Sequence, residues 1–224
     1  LDLVLTGALT GGNAQSSRIY NNSNGVFLPT SDALQGVAAE PNSVAWGDYD
    51  NDGDLDLLLT GDGEGGRIAA IYKNQNGAFS DAEVGFAEMR NGAALWGDLD
   101  NDGDLDVVLT GRSNDGEETS VYQNNDGVFE LLETNIIGSR RSDAQLGDFD
   151  NDGDLDLILN GNDGDDDIMK FYRNDGDFQF EDVSDFDFTI DEGIAAWGDY
   201  DNDGDLDLLI SGDDEVSEDD ITRI

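Results

Sequence analysis

Nearly continuous apolar runs alternate along the chain with segments rich in Asp, Asn and Gly, and the two recur in a fixed order. The segment Trp46-Gly47-Asp48-Tyr49-Asp50-Asn51-Asp52-Gly53-Asp54-Leu55-Asp56-Leu57 returns at 96–107, 146–157 and 197–208. Its first loop aspartate falls at 48, 98, 148 and 199, giving steps of 50, 50 and 51 residues. Leu1 and Asp2 align with Leu55 and Asp56, so a fifth copy is expected to be present without its front. A second element keeps register with the first: Ile19-Tyr20-Asn21, Ile71-Tyr72-Lys73-Asn74, Val121-Tyr122-Gln123-Asn124 and Phe171-Tyr172-Arg173-Asn174. Each is followed by a turn and then by Phe27, Phe79, Phe129 or Phe178. Turns such as Gln75-Asn76-Gly77 and Asn125-Asp126-Gly127 supply the left-handed backbone that a tight hairpin requires.

Each repeat therefore reads as four strands: A (44–47), B (55–60), C (68–73) and D (from 78), with the Asp-rich segment joining A to B. Strand B is apolar at successive positions, as at Leu105, Val107, Val108 and Leu109. That pattern predicts burial on both faces, so neighbouring sheets must cover it. Four-stranded units stacked through apolar faces are the signature of an all-β propeller, usually of about four to eight blades. The chain holds about 4.5 periods and reads as one array over 1–224, with repeats starting near 1 (partial), 43, 93, 143 and 194 (partial). A fragment of a larger ring, with its export signal and other domains elsewhere in a longer chain, is the expectation.

The Asp-rich loop predicts metal binding. Counted from Asp48, carboxylates fall at positions one, three, five and nine (Asp48, Asp50, Asp52, Asp56), and Gly53 holds position six. Alternate side chains of a tightly curled loop converge on one point, the glycine permits the bend, and the carbonyl of Asp54 turns inward. The equivalent sets are Asp98, Asp100, Asp102, Asp104 (carbonyl) and Asp106; Asp148, Asp150, Asp152, Asp154 (carbonyl) and Asp156; and Asp199, Asp201, Asp203, Asp205 (carbonyl) and Asp207. Ca²⁺ takes about six to eight oxygens at flexible geometry, whereas Mg²⁺ demands a tighter octahedron and keeps its waters, so about four calcium ions are expected. Like charges about 4 Å apart repel by roughly 4 kcal/mol at an effective dielectric of about 20, which makes the ion structural. An isolated loop of this composition can be a plain polar turn; copies in register at a fixed period argue against that. An EF-hand needs a bidentate Glu at position twelve between two helices, and here that position is Leu59, Leu109, Leu159 or Ile210 inside a strand.

Composition narrows the chemistry further. With 10 basic and 53 acidic residues the net charge is −43, which argues against nucleic acid or an anionic membrane as partner. There is no Cys and no His, which removes disulfides, thiolates, imidazole bases and ordinary zinc sites. No apolar run is long enough for a membrane-spanning helix. Setting aside 21 motif carboxylates, five in each of four loops plus Asp2, leaves 32 acids, consistent with a salty or calcium-rich medium.

These loops, with the Tyr-x-Asn and Phe positions of the hairpin, resemble the FG-GAP or VCBS-type repeats of the integrin α-subunit propeller and of many bacterial surface proteins. The resemblance covers nearly the whole chain. It implies a propeller, often seven-bladed, with calcium on the A to B loops at one rim, usually outside the cell. In the integrin form position seven is commonly hydrophobic, whereas here it is Asp54, Asp104, Asp154 and Asp205, closer to the bacterial form.

Trp46, Trp96 and Trp197, with Leu146 in the fourth repeat, stand on strand A and read as core rather than as sugar-stacking platforms. The segments after strand B, 8–17, 62–66, 112–120, 162–167 and 213–220, vary most and read as the loops where a scaffold places recognition. The leading expectation is a non-enzymatic, extracellular or cell-surface scaffold for adhesion or for a protein or carbohydrate ligand. A propeller-type polysaccharide lyase or hydrolase acting through carboxylate pairs is the alternative, and a structural spacer the third.

Overall fold

The computed structural model describes residues 2–8, 15–30, 34–38, 43–185, 190–214 and 219–223. They form antiparallel sheets that follow one another along the chain. The first sheet pairs β1 (Leu3–Ala8), β2 (Gln15–Ser23) and β3 (Val26–Pro29). The second contains β4 (Val37–Ala38), β5 (Val44–Gly47), β6 (Asp56–Gly63), β7 (Gly66–Gln75) and β8 (Ala78–Asp81), with β4 and β5 both pairing with β6. The third runs in sequence order through β9 (Ala94–Gly97), β10 (Asp106–Arg112), β11 (Glu117–Asn125) and β12 (Val128–Leu132). The fourth comprises β13 (Arg140–Gly147), β14 (Asp156–Asn162), β15 (Asp167–Asn174) and β16 (Phe180–Asp182), and the last β17 (Ile190–Gly198), β18 (Asp207–Asp214) and β19 (Asp219–Arg223). This succession of up-and-down blades is an all-β, propeller-type array.

The double-sided burial expected of strand B is present. The first six residues of β6, β10 and β14 are all buried. Alternation then assigns each side chain to one seam between blades. Val4 packs with Leu57 and Leu59; Leu58 with Val107 and Leu109; Val108 with Leu157 and Leu159; and Ile158 with Leu208 and Ile210. Each of the first four blades thus offers one central side chain forward, and the next blade receives it between two of its own. Close packing of such seams is the main source of cohesion in a repeat array.

The tyrosines of strand C are structural, as expected. Tyr72, Tyr122 and Tyr172 are buried, and their hydroxyls accept the backbone N–H of Gln35 (2.9 Å), Ala87 (2.8 Å) and Ile137 (3.0 Å). Each thereby pins the segment that leads into strand A of its own blade. Trp96 lies flat on Tyr49 of the preceding blade, ring centroids 6.1 Å apart, and Trp197 on Phe149, 6.4 Å apart. The tryptophans are half-buried inter-blade packing.

The segments after strand B are shorter loops than their sequence variability suggests. β6 continues to Gly63 and β7 starts at Gly66, and β10 reaches Arg112 before β11 opens at Glu117. Backbone pairing extends strands through polar residues because ladder hydrogen bonds do not depend on side-chain polarity. The segments 9–14 and 215–218 lie outside the described residues.

Candidate metal centres in the A to B loops

Each A to B loop is held by its own aspartates. The position-nine carboxylate opens strand B and closes the loop. Asp106 Oδ2 accepts the N–H of Leu99 (2.8 Å) and its Oδ1 accepts the N–H of Asn124 on strand C (2.8 Å). Asp56 does the same with Tyr49 (3.3 Å) and Asn74 (2.7 Å), and Asp156 with Phe149 (2.9 Å) and Asn174 (2.8 Å). Asp207 accepts from Tyr200 (2.9 Å). In the first blade Asp2 keeps the strand C half of this clamp, accepting from Asn22 (2.8 Å). Position one organises the bend, since Asp48 accepts from the N–H groups of Asp52 and Gly53, both at 3.0 Å. Asp148 and Asp199 repeat the pair of bonds, and Asp98 accepts from Gly103 (3.1 Å).

These bonds bring carboxylates together. In three loops ligand-capable oxygens of positions one, three and nine lie within 4.8 Å of one another: Asp48, Asp50 and Asp56; Asp98, Asp100 and Asp106; Asp148, Asp150 and Asp156. In the last loop the trio is Asp199, Asp201 and Asp203. Position five turns back on the chain in all four loops, with Asp52, Asp102, Asp152 and Asp203 each accepting through Oδ1 the N–H two residues on. The side chain of position seven has a role of its own beside the expected role of its carbonyl. The side chain of Asp104 accepts the Asn51 amide of the preceding loop (2.8 Å) through one oxygen and the N–H of Asp126 (2.9 Å) through the other.

Charge at these centres is poorly compensated. Asp56, Asp106 and Asp156 are fully buried, and burial pushes each carboxyl up to about 6 against the opposing effect of their backbone N–H bonds. Neighbouring Asp50 and Asp52, Asp100 and Asp102, and Asp150 and Asp152 push the same way. Asp50 Oδ1 and Asp98 Oδ1 are buried atoms that accept no hydrogen bond. Each carboxylate oxygen already engaged by one N–H retains a further lone pair. Such a donor set, all hard oxygen with orphaned buried atoms among it, fits a divalent cation of the calcium type.

The loops are not equivalent. Lys73, the middle residue of its Tyr-x-Asn motif, places its ammonium on Asp50 and 3.5 Å from Asp52 Oδ2. The hydrogen bond to Asp50 holds the ammonium pKa above its ordinary value. Gln123 at the same station donates to Asp100 Oδ2 (2.7 Å), and Arg173 instead pairs with Asp175 (2.7 Å) and Glu181 (2.6 Å). Sequence reasoning missed this residue. Its signal was the variable x of Tyr-x-Asn, one strand away from the loop.

Stacked blades of three to five strands with an aspartate cluster in each of four A to B loops define a repeat protein whose loops can hold metal ions. The chain belongs to the FG-GAP-like repeat family, which it matches at residues 1–59, 53–109, 98–159 and 148–210. No curated protein matches it. Among solved structures it is similar to one described as the structural basis of specific recognition of non-reducing terminal N-acetylglucosamine by an Agrocybe aegerita lectin. Identity is 16%, coverage is 93% of this chain and 74% of that one, and the TM-score is 0.43. Among the described residues no helix is long and apolar enough to cross a membrane.

Proposed function

We propose that this chain is a calcium-stabilised binding scaffold that works outside the cell, as a single array over 1–224 with repeats starting near 1, 43, 93, 143 and 194. The observation that carries the reading is the fully buried position-nine carboxylate with two further carboxylate oxygens within 4.8 Å of it, seen at Asp56, Asp106 and Asp156. Charges so placed are costly unless a counter-charge meets them. The side chains at positions one, three, five and nine and the position-seven carbonyl would hold the ion: Asp48, Asp50, Asp52, Asp54 and Asp56 in one loop and their equivalents from 98, 148 and 199. When bound, the cation supplies charge neutralisation and ties strand A to strand B. Extracellular calcium modules bind at about 10⁻⁴ to 10⁻³ M, a range that fills only outside the cytosol. Family membership and the acidity of the chain favour adhesion or capture of a protein or carbohydrate ligand over catalysis, with nucleic acid disfavoured by the charge of −43.

Calorimetric titration of metal-stripped protein with Ca²⁺ and with Mg²⁺ tests the reading. About four calcium ions should bind, with magnesium weaker, and chelation should lower the melting temperature. Identical melting with chelator and with calcium, together with no heat of binding, would rule it out.

A further inference from the structure

A buried chain of hydrogen bonds joins the position-nine carboxylates of three successive blades. Asp56 Oδ2 accepts the N–H of Tyr49 (3.3 Å), and the Tyr49 carbonyl accepts the side-chain amide of Asn124 on the next blade (2.8 Å). The backbone N–H of that same Asn124 donates to Asp106 Oδ1 (2.8 Å). The sequence of bonds then repeats. Asp106 Oδ2 accepts the N–H of Leu99 (2.8 Å), the Leu99 carbonyl accepts the Asn174 amide (2.9 Å), and the Asn174 N–H donates to Asp156 Oδ1 (2.8 Å). Tyr49, Leu99, the two asparagines and the three aspartates are all buried. At low local dielectric a network of this kind can be worth more than the sum of its bonds, and it rigidifies what it joins.

A second link crosses the same seams at the surface. Asn51 donates to Asp104 (2.8 Å) and Asn101 to Asp154 (2.6 Å), and both acceptors stand at position seven of the next loop. The two links enter each loop on either side of position three: Tyr49 and Asn51 flank Asp50, and Leu99 and Asn101 flank Asp100. Asp50 Oδ1 is one of the buried carboxylate atoms that accept no hydrogen bond. The following blade therefore fixes the backbone around a carboxylate whose buried oxygen is unsatisfied. The groups it uses also hold its own loop, Asn124 through Asp106 and Asp104 through the N–H of Asp126 (2.9 Å). One set of residues orders two loops.

We propose that neighbouring loops take up calcium cooperatively, with Asn124 and Asn174 as the positioning residues that couple them across the seams. This rests on the calcium reading above and adds a relation between its sites. Filling one loop fixes its backbone at positions two and four, which orders Asn124 and Asp104 of the next blade before that blade's own loop is filled. The second ion then meets a loop already ordered, and the conformational entropy lost in the first event is not lost again. Coupling is reciprocal, so filling the later loop favours the earlier one by the same factor. Repulsion between bound cations acts the other way and is screened by salt, so cooperativity should be strongest at high ionic strength. The loops beginning at Asp98 and Asp148 are the clean pair, because the Lys73 ammonium already sits on Asp50 in the loop before them.

An NMR titration of the metal-stripped intact chain with Ca²⁺ at high salt reads these loops separately, through the amides of Gly103 and Gly153, each bonded to its own position-one aspartate. In the parent both signals should move over the same steep range, with a Hill coefficient above one. Asp98→Asn combined with Asp100→Asn disables one loop and should raise the calcium midpoint at Gly153 by about fivefold or more. Asp148→Asn combined with Asp150→Asn should do the same to Gly103. Asn174→Ala and Asn101→Gly together cut both links at this seam; each loop should still fill, with separate midpoints and a Hill coefficient near one. Asn101→Gly alone, at the surface, should lower the steepness in part, a readout that survives if Asn174→Ala fails to fold. Tyr122→Phe removes a buried bond to the Ala87 N–H that lies off this path, and should lower the melting temperature with the steepness intact. Signals that shift with calcium while each midpoint ignores the neighbouring loop overturn the coupling and leave calcium binding standing. Steepness that survives both seam substitutions overturns the assigned route, and signals that ignore calcium altogether overturn both readings.

Discussion

Asn51 in one loop donates its side-chain amide to Asp104 in the next at 2.8 Å, and the bond recurs from Asn101 to Asp154 (2.6 Å) and from Asn151 to Asp205 (2.7 Å). A ladder of side-chain hydrogen bonds therefore runs along the rim from loop to loop. The donors hold left-handed backbone, with φ of 56°, 58° and 59°, which Asn tolerates better than most residues. Asp104 also accepts from the hairpin N–H of Asp126, so one carboxylate couples the preceding loop to its own blade.

The first prediction concerns that ladder. Asn101→Ala removes the bond to Asp154 and places a Cβ on left-handed backbone, and should lower stability by about 1 to 2 kcal/mol in chemical denaturation. Asn101→Gly removes only the bond and should cost less. Equal losses for the two variants would assign the whole effect to the hydrogen bond and remove backbone conformation from the account.

Lys73 supports a second prediction, which rests on the proposed calcium binding. Its ammonium lies on Asp50 and near Asp52, where it neutralises part of the charge that an ion would otherwise meet. Lys73→Gln installs the side chain that the next blade carries at Gln123. Calcium affinity at the loop beginning with Asp48 should rise several-fold, while the metal-free protein loses an ion pair. Titration calorimetry resolving one tightened site out of the set would support this, and an unchanged isotherm would show that the ammonium does not compete.

How much of this was legible in the sequence follows from the range of each interaction. The loops, the double-sided burial of strand B and the Tyr-x-Asn hairpin are short-range patterns with a period near 50, and each appears at its expected place except in the fourth hairpin, where a longer turn puts Phe180 rather than Phe178 opposite Asn174. The Asn51–Asp104 bond spans 53 residues and depends on how far one blade is rotated against the next, a quantity no local pattern encodes. Position seven was accordingly assigned a role through its carbonyl, and its side-chain role was missed. The two-residue strand β4 escaped for a related reason, since Val37 and Ala38 pair only because β6 continues past its apolar run to Gly63.

The metal-free protein should become less stable as pH rises from about 4 to about 6. Asp56, Asp106 and Asp156 titrate near about 6 in the fold against an ordinary value of 3.8. Between those values the folded chain binds more protons than the unfolded one, so stability falls with increasing pH and the benefit of protonation is gone above about 6. Thermal midpoints measured in chelator across this window should decline as pH rises. Replacing Asp106 by Asn, which stays neutral, should flatten the decline by its share; an unaltered slope would place the dependence elsewhere in the acidic surface.

The last prediction concerns a close approach of two backbones. Gly92 precedes strand β9, and a Cβ there would lie 1.9 Å from the carbonyl oxygen of Thr110 and 2.6 Å from Cα of Gly111. Neither side can yield easily. Ala93 N–H donates to Thr110 Oγ1 (2.9 Å), Thr110 N–H donates to the Ala93 carbonyl (3.0 Å), and Arg112 N–H donates to the Arg90 carbonyl (2.8 Å), so the glycine is clamped on both flanks. Gly92→Ala must therefore break part of this clamp or push strand β9 off strand β10, at a cost of about 3 kcal/mol or more. Gly65, in the turn between β6 and β7, has open space around its would-be Cβ, and Gly65→Ala should change stability by less than about 0.5 kcal/mol. Denaturant midpoints of the two variants decide the matter: comparable midpoints would mean that the inner strand moves freely and that its pairing with β10 is not fixed by the approach at Gly92.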